Sequence, residues 1–379
     1  MNWRLTPKAK RNISRIIPFG VIWFSIAVLF MITDLTATGF KGARPQSIAL
    51  TPRIVLFAII SLTAIGIIVG TIEILLGERR FRKLSLTKKI VYKFLIYGTF
   101  LFTTVAITYP IALVMDPSDE RVQGTLGEEM ISFFTSSDFV STAVQLGFSL
   151  LMSLFYTTIS ESLGHNALLN LFTGRYHTPK VEQRIFMFLD MKDSTKIAEQ
   201  LGHLTYFDLL QQYYEAMSDP IVNHLGEVYQ YIGDEVVVSW KLERGLRNSN
   251  CLRTFFAIKA SLADQQPTFY RQYGFTPDFK AGLHLGEVTI GEIGALKKEV
   301  VFTGDVLNTT ARLQALCSSY ESDLIISQEL IKVLDLDEAW EAADLGSVQL
   351  KGKSQETHIF SIRSLAPASS KAHLARSEG

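Results

Sequence analysis

The sequence predicts an α+β domain of ferredoxin-like, split βαβ order, preceded by a four-helix transmembrane bundle. Three observations predict it. Four long apolar segments fill the first half of the chain. In the second half, short apolar runs alternate with amphipathic ones in the order strand, helix, hairpin, helix, strand. One of those apolar runs, Ile185 to Leu189, ends on a carboxylate, Asp190, and a polar turn follows at once.

The apolar segments cover about 16–36, 54–76, 90–115 and 139–159 of the 379 residues. Each approaches or exceeds the ~20 residues that a helix needs to cross a bilayer. A single one could be a buried core helix. Four in succession, with little amphipathic sequence between them, read as spans. The first lacks a small-residue cleavage site and is followed by three more, so it is not read as a removed signal peptide.

Loop charges orient the bundle. Arg4, Lys8, Lys10, Arg11 and Arg15 lie at its start, and Arg79, Arg80, Arg82, Lys83, Lys88 and Lys89 join the second and third spans. The next loop is acidic, with Asp116, Asp119, Glu120, Glu128, Glu129 and Asp138. The positive-inside rule then predicts an inner (cytoplasmic) membrane protein with both termini and the second half in the cytoplasm. Lys41, Arg44 and Arg53 in the first outer loop weaken this bias without reversing it. Glu73 and Lys93 fall in or near spans, where a charge either serves a function or snorkels to the interface.

A formal net charge of +0 gives no reason to expect nucleic acid as a partner. Cys251 and Cys317 have no zinc or C-x-x-C spacing and suit a reducing compartment. The chain divides into a span domain at 1–159, a coupling segment at 160–180, a catalytic domain at 181–364 and an Ala/Ser-rich, disordered tail at 365–379. Within the coupling segment, Leu163, Leu168, Leu169 and Phe172 are spaced for a helix leaving the membrane.

The second half predicts strands at Ile185 to Leu189, Val228 to Ile232, Glu235 to Trp240, Lys280 to Leu285, Glu287 to Ile293, Leu324 to Ser327 and Thr357 to Ile362. Helices are predicted at Ser194 to Val222, Leu252 to Tyr273, Asp305 to Cys317 and Gln328 to Leu334. Gly233-Asp234 between two alternating strands is a tight hairpin signal, with Gly at positive φ. In a split βαβ fold the first strand lies beside that hairpin, so Asp190 and Asp234 can converge. Two carboxylates with few other ligands leave room for water and phosphate oxygens, which suits Mg²⁺ on a nucleotide. A helix start directly after Asp190 would present backbone N–H groups to phosphate. Asp190 or Ser194 could instead simply cap that helix. Asn308 and Arg312, spaced i, i+4, share one face of a helix. Arg suits charge on a transferring phosphoryl group, and Asn can orient a hydroxyl. His284 reads as a core or hairpin residue.

Together these stretches resemble the class III nucleotidyl cyclases, the adenylate and guanylate cyclase family, in its membrane-anchored bacterial form. The resemblance runs from about Gln183 to Ile362 and rests on "FLDMKDST", "YQYIGDE", "GLHLGEVTIGEIG", "GDVLNTTARL" and "LKGK" in the family's order. It implies that Asp190 and Asp234, with the Met191 carbonyl, hold two Mg²⁺ or Mn²⁺ ions per site. One ion would help deprotonate the ribose 3′-hydroxyl and the other would bind the triphosphate. Asp193, Ser194 and Thr195 would lie at the phosphates. Asn308 would position the ribose, and Arg312, with Lys351 or Lys353, would stabilise the α-phosphate. The implied product is a 3′,5′-cyclic nucleotide with pyrophosphate. The metal pair and the Asn/Arg pair would come from opposite subunits of a homodimer.

Three positions depart from the family pattern. Asp193 stands where Gly is common. Gln230 and Val301 occupy the base-reading positions, where adenylate cyclases usually have Lys and Asp or Thr, and guanylate cyclases Glu and Cys. ATP is expected on the family's prevalence, with GTP as the alternative. A catalytically inactive nucleotide-binding membrane sensor is the rival of a different class. A diguanylate cyclase, suggested by "YIGDEV", leaves the Asn308/Arg312 helix without a role.

Overall fold

The computed structural model describes residues 5–37, 52–77, 86–115, 126–163, 174–295, 298–337, 339–353 and 355–365. The predicted coupling helix falls largely on 164–173 and the predicted tail on 366–379, outside the described residues. The chain divides into two compact units, one spanning Lys10–Leu169 and the other comprising Met1–Ala9 with Asn170–Gly379.

In the first unit, α1 (Pro7–Ala37), α2 (Pro52–Ile72) and α3 (Leu86–Met115) are followed by the short α4 (Leu126–Phe134) and by α5 (Ser137–Leu163). Among the described residues, four helical stretches are long and apolar enough to cross a membrane: Pro7–Thr33, Pro52–Leu75, Val91–Ile111 and Phe139–Glu161. Small residues let two of these helices approach closely. A Cβ on Gly66 would sit 2.5 Å from Trp23 Cγ, and one on Gly70 would sit 2.7 Å from Phe19 Cγ. The Trp23 indole N–H donates to Ser153 Oγ at 2.9 Å, which satisfies its one polar atom inside the bundle.

α2 runs into a π-helical turn, Glu73–Gly77. Glu73 and Lys93 do not snorkel: they are only 1% and 4% exposed. Lys93 donates to Glu73 Oε1, and the Tyr97 hydroxyl donates to Glu73 Oε2 at 2.5 Å. The burial is tolerable because both carboxylate oxygens are partnered.

The second unit is built on β1 (Lys180–Met191), α6 (Ser194–Asn223), β2 (Glu227–Ile232), β3 (Glu235–Lys241), α7 (Leu242–Leu246), α8 (Asn250–Asp264), α9 (Gln266–Tyr273) and β4 (Phe279–Ile293). β5 (Glu299–Thr303), α10 (Asp305–Leu316), β6 (Leu324–Ser327), α11 (Gln328–Ile331), β7 (Trp340–Gln349) and β8 (Glu356–Ser364) complete it. The sheet order is β2-β3-β1-β4-β6-β8-β7, with β5 paired to β4. β1 is antiparallel to both β3 and β4, so the first four strands have the split βαβ, ferredoxin-like order.

The period of two sorts β1 between two cores. Ile185, Met187, Leu189 and Met191 pack with Leu209, Tyr213 and Met217 of α6 and with Leu252, Phe255 and Ile258 of α8. Phe186 and Phe188 belong to the opposite cluster, with Val306 of α10. Asp190 continues the second set, so its carboxylate emerges on the α10 face. α10 crosses the sheet at Gly282, where a Cβ would lie 2.4 Å from the Gln314 nitrogen and 2.6 Å from the Thr310 oxygen.

Several element boundaries differ from the sequence expectation. Lys280 to Ile293 is not a strand pair but part of one continuous strand, β4, and its hairpin partner is β5. The helix expected at 194–222 breaks at Gly202, whose φ of 71° and ψ of 165° are non-helical. The helix expected at 252–273 is two helices, because Pro267 at the start of α9 cannot continue an α-helix from the preceding turn. β5 and β7 were not anticipated.

Candidate active site

β1 delivers Asp190, and the β2–β3 hairpin delivers Asp234. Gly233 at the turn has φ 64°, the left-handed conformation expected of it. β1 pairs with β3 as far as Leu189 opposite Val236, which sets Asp190 beside the Asp234 turn. Burial, then the charge of Asp234, raises the Asp190 carboxyl above the usual carboxylate range. Lys280 Nζ at 3.6 Å and Gln314 Nε2, donating to Asp190 Oδ2 at 3.0 Å, act in the opposite direction. Asp234 Oδ2 is buried and, among the described residues, has no hydrogen-bond partner. Burial, then Asp190 and Asp234, pushes neighbouring Glu235 up to about 7.

This is an unstable arrangement of like charge unless a cation or proton joins it. The donor set is hard oxygen, and one buried oxygen is unpartnered. Both features fit Mg²⁺ or Mn²⁺. Among the described residues no group of three or more His, Cys, Asp or Glu side chains could cage a metal ion. A divalent ion bound by two carboxylates therefore keeps coordination positions for water and substrate phosphate. Met191 is 1% exposed, with its side chain in the core, so only its backbone can contribute.

After Met191 the chain turns through Asp193 at φ 56°, a conformation Asp tolerates, and α6 begins at Ser194. Asp193 is the N-cap position, yet its side chain makes no capping bond. The capping reading of Asp190 or Ser194 is thus not what the structure has. Among the described residues, the first-turn amides of α6 receive no cap from the Asp193 side chain. A cavity of about 500 Å³ opens there, lined by Ser194, Thr195, Glu199, His203, Tyr206 and Asp234. Asp193 lines a different cavity, of about 390 Å³, with Lys192, Lys280 and Asp323 among its walls.

Asn308 and Arg312 lie on α10. The residues of α10 buried toward the sheet include Val306, Thr310, Leu313 and Gln314. At ~100° per residue, Asn308 and Arg312 lie roughly opposite them. Among the described residues neither makes a hydrogen bond to Asp190 or Asp234. Arg312 instead approaches the "LKGK" turn: a Cβ on Gly352, at φ 76°, would sit 3.4 Å from its Nη2. Lys353 Nζ pairs with Asp305 Oδ2 at 2.8 Å and holds the Asp305 carboxyl below its ordinary range. Lys351 is exposed.

Gln230 is exposed on β2, just past a bulge at Tyr229. Val301 sits on β5 opposite Gly291. The Tyr229 ring stacks on Phe302, centroids 4.5 Å apart, and its hydroxyl accepts from the Phe302 amide at 3.2 Å. That contact ties the strand carrying Gln230 to the strand carrying Val301. His284 is buried and bonded to Ser327 Oγ at 2.7 Å, a core residue as expected. Sequence reasoning missed Gln314, Lys280 and Glu235. Only Glu235, inside the quoted "YIGDE", carried a signal that could have found it.

Residues 177–362 match the family described as the adenylate and guanylate cyclase catalytic domain. "Adenylate cyclase 2" of Rhizobium meliloti is 34% identical over 209 residues, which is 55% of this chain and 58% of that protein. "Adenylate cyclase 1" of the same organism is 25% identical over 182 residues, 46% of this chain and 27% of that protein. Among solved structures, the adenylyl cyclase CyaB from P. aeruginosa aligns with a TM-score of 0.43 at 21% identity, covering 50% of this chain and 97% of that one. The chain thus spans 58% and 27% of the lengths of the two curated relatives. Over residues 177–362 the chain is similar to the adenylate and guanylate cyclase catalytic domain.

Proposed function

We propose that the protein is a membrane-bound adenylate cyclase that converts ATP to 3′,5′-cyclic AMP and pyrophosphate at two composite sites of a homodimer. The observation that carries this reading is the Asp190–Asp234 pair, with a buried Asp234 oxygen that is unpartnered among the described residues and a cavity of about 500 Å³ beside it. Asp190 and Asp234, with the Met191 carbonyl, would hold two Mg²⁺ or Mn²⁺ ions. When bound, these ions supply acidification of the ribose 3′-hydroxyl and charge neutralisation at the triphosphate. Ser194, Thr195 and the first-turn amides of α6 bind phosphate oxygens. The 3′-oxygen attacks the α-phosphorus in line, the new P–O bond forms, and the bond to the β-phosphate oxygen breaks to release pyrophosphate.

Asn308 orients the ribose, and Arg312 stabilises charge on the α-phosphate, assisted by Lys351 or Lys353. The placement of Asn308 and Arg312 away from their own sheet supports a site completed by a second copy of the chain. The names of the curated relatives support ATP as the substrate. Gln230, which can donate and accept, and Val301, which can do neither through its side chain, face the base. The four apolar helices anchor the protein in the inner membrane, with both termini and the catalytic domain in the cytoplasm.

The test is turnover. The purified chain in detergent micelles, given Mn²⁺ and each of the four nucleoside triphosphates in turn, is expected to yield cyclic AMP from ATP. Cyclic GMP from GTP in preference would reassign the base. No cyclic product from any nucleotide would leave a binding module in place of an enzyme.

A further inference from the structure

Asp190 lies at the end of β1, and Asp234 precedes β3, which pairs with β1 as far as Leu189 opposite Val236. Asp234 rides the tip of a hairpin whose outer strand, β2, is the edge of the sheet. The tip is poorly supported from within: there is open space around Gly233, and Tyr231 and Ile232 are about half exposed. A fixed position for Asp234 therefore needs support from outside the hairpin.

α6 supplies that restraint. The Tyr214 hydroxyl donates to the carbonyl oxygen of Gly233, the residue directly before Asp234. The Tyr214 ring also lies against Tyr231, centroids 4.4 Å apart and tilted by 37°. Its neighbour Tyr213 is fully buried in the core between α6 and the sheet, which fixes this turn of the helix. Burial, then the charge of Asp234, pushes the Tyr214 phenol up to about 12, so the hydroxyl remains a donor at neutral pH.

We propose that Tyr214 is a positioning residue for the metal seat, holding the Gly233–Asp234 turn so that Asp234 faces Asp190 before a divalent cation arrives. The inference rests on the metal-dependent reading above. The phenol does not touch the ion. It keeps the seat assembled, so a cation does not have to close the hairpin in order to bind.

The experiment is an Mn²⁺ titration of the full chain in detergent micelles, followed by the electron paramagnetic resonance signal of free Mn²⁺. The wild type is expected to bind and Asp234→Asn to lose binding. Tyr214→Phe is expected to bind about ten-fold more weakly, as for other residues that orient metal ligands. In turnover, its apparent KM for Mn²⁺ is expected to rise while kcat at saturating metal stays within about two-fold. Two replacements at position 214 separate donation from packing. 4-Methylphenylalanine, which fills the volume without donating, is expected to match Tyr214→Phe, and 4-aminophenylalanine, which donates, to return toward wild type. Equal affinity in the wild type and Tyr214→Phe overturns the inference and leaves the metal reading standing. If Tyr214→Phe does not fold, equal affinity in the methyl and amino variants overturns it. A wild type that binds no Mn²⁺, or an Asp234→Asn chain that binds as well as wild type, overturns the metal reading and the inference with it.

Discussion

Lys280 and Gln314 both favour the ionised form of Asp190. Lys280→Met removes the only one of these two partners that carries charge. The Asp190 carboxyl then rises further, and the acid limb of the Mn²⁺-binding profile should move to higher pH, by up to about a unit. An unmoved limb would mean that Lys280 acts only on Ser318, to which it also donates at 3.0 Å. His284 makes the opposite kind of prediction. Burial lowers it from 6.5 to about 4, with Glu329 opposing that shift and Lys353 adding to it. The unfolded chain therefore binds the extra proton first as pH falls. Stability is full above about pH 6.5 and is lost as pH drops toward 4. Between pH 7 and 5 the loss is about 2 kcal/mol, which His284→Gln should largely abolish in thermal unfolding of the chain at the two pH values.

At the scale of the element, α10 is the part most dependent on one small residue. It lies directly on β4 because Gly282 has no side chain, and the atoms a Cβ would strike are backbone atoms of Thr310 and Gln314. Backbone cannot rotate aside, so Gly282→Ala must push the helix outward, at a cost of about 1–3 kcal/mol. Because α10 carries Asn308 and Arg312, activity should fall at least about ten-fold, further than the loss of stability alone explains. A melting temperature and activity both at wild-type level would show that α10 is free to shift. What was legible in the sequence at this scale follows the strength of the local signal. β1, the Gly-Asp hairpin and α10 each combine periodicity with a distinctive turn, and all three form as expected. β7 was not legible because "WEAADLGSVQ" lacks a clean apolar alternation: the strand forms through its pairing along β8, a tertiary effect. The kink at Gly202 was hidden because a lone Gly inside a helical pattern is often tolerated.

For the whole molecule, the division into an apolar half and an α+β half was plain from composition, because a bilayer imposes a length and polarity that cytosolic domains do not share. The buried Glu73–Lys93 pair shows the limit of such reading. Sequence placed both charges near the ends of spans but could not say that they meet. The site has the same character. Asp190, Asp234, Asn308 and Arg312 were each visible, and the structure brings the first two together within one chain while turning the last two away from them. On the proposed reading a second copy of the chain completes the site, and Gln314, which steadies Asp190 from the same helix, could not have been found without the packing of α10 on the sheet.

Complementation tests this directly. Asp234→Ala and Arg312→Ala chains, purified alone, should each lose at least about 100-fold in cyclic AMP formation. Co-expressed with different tags and isolated as the mixed dimer, the pair rebuilds one intact site from the Asp190/Asp234 face of one chain and the Asn308/Arg312 face of the other. Activity should return to about half that of the wild-type dimer. A mixed dimer as inactive as either parent would contradict the shared site.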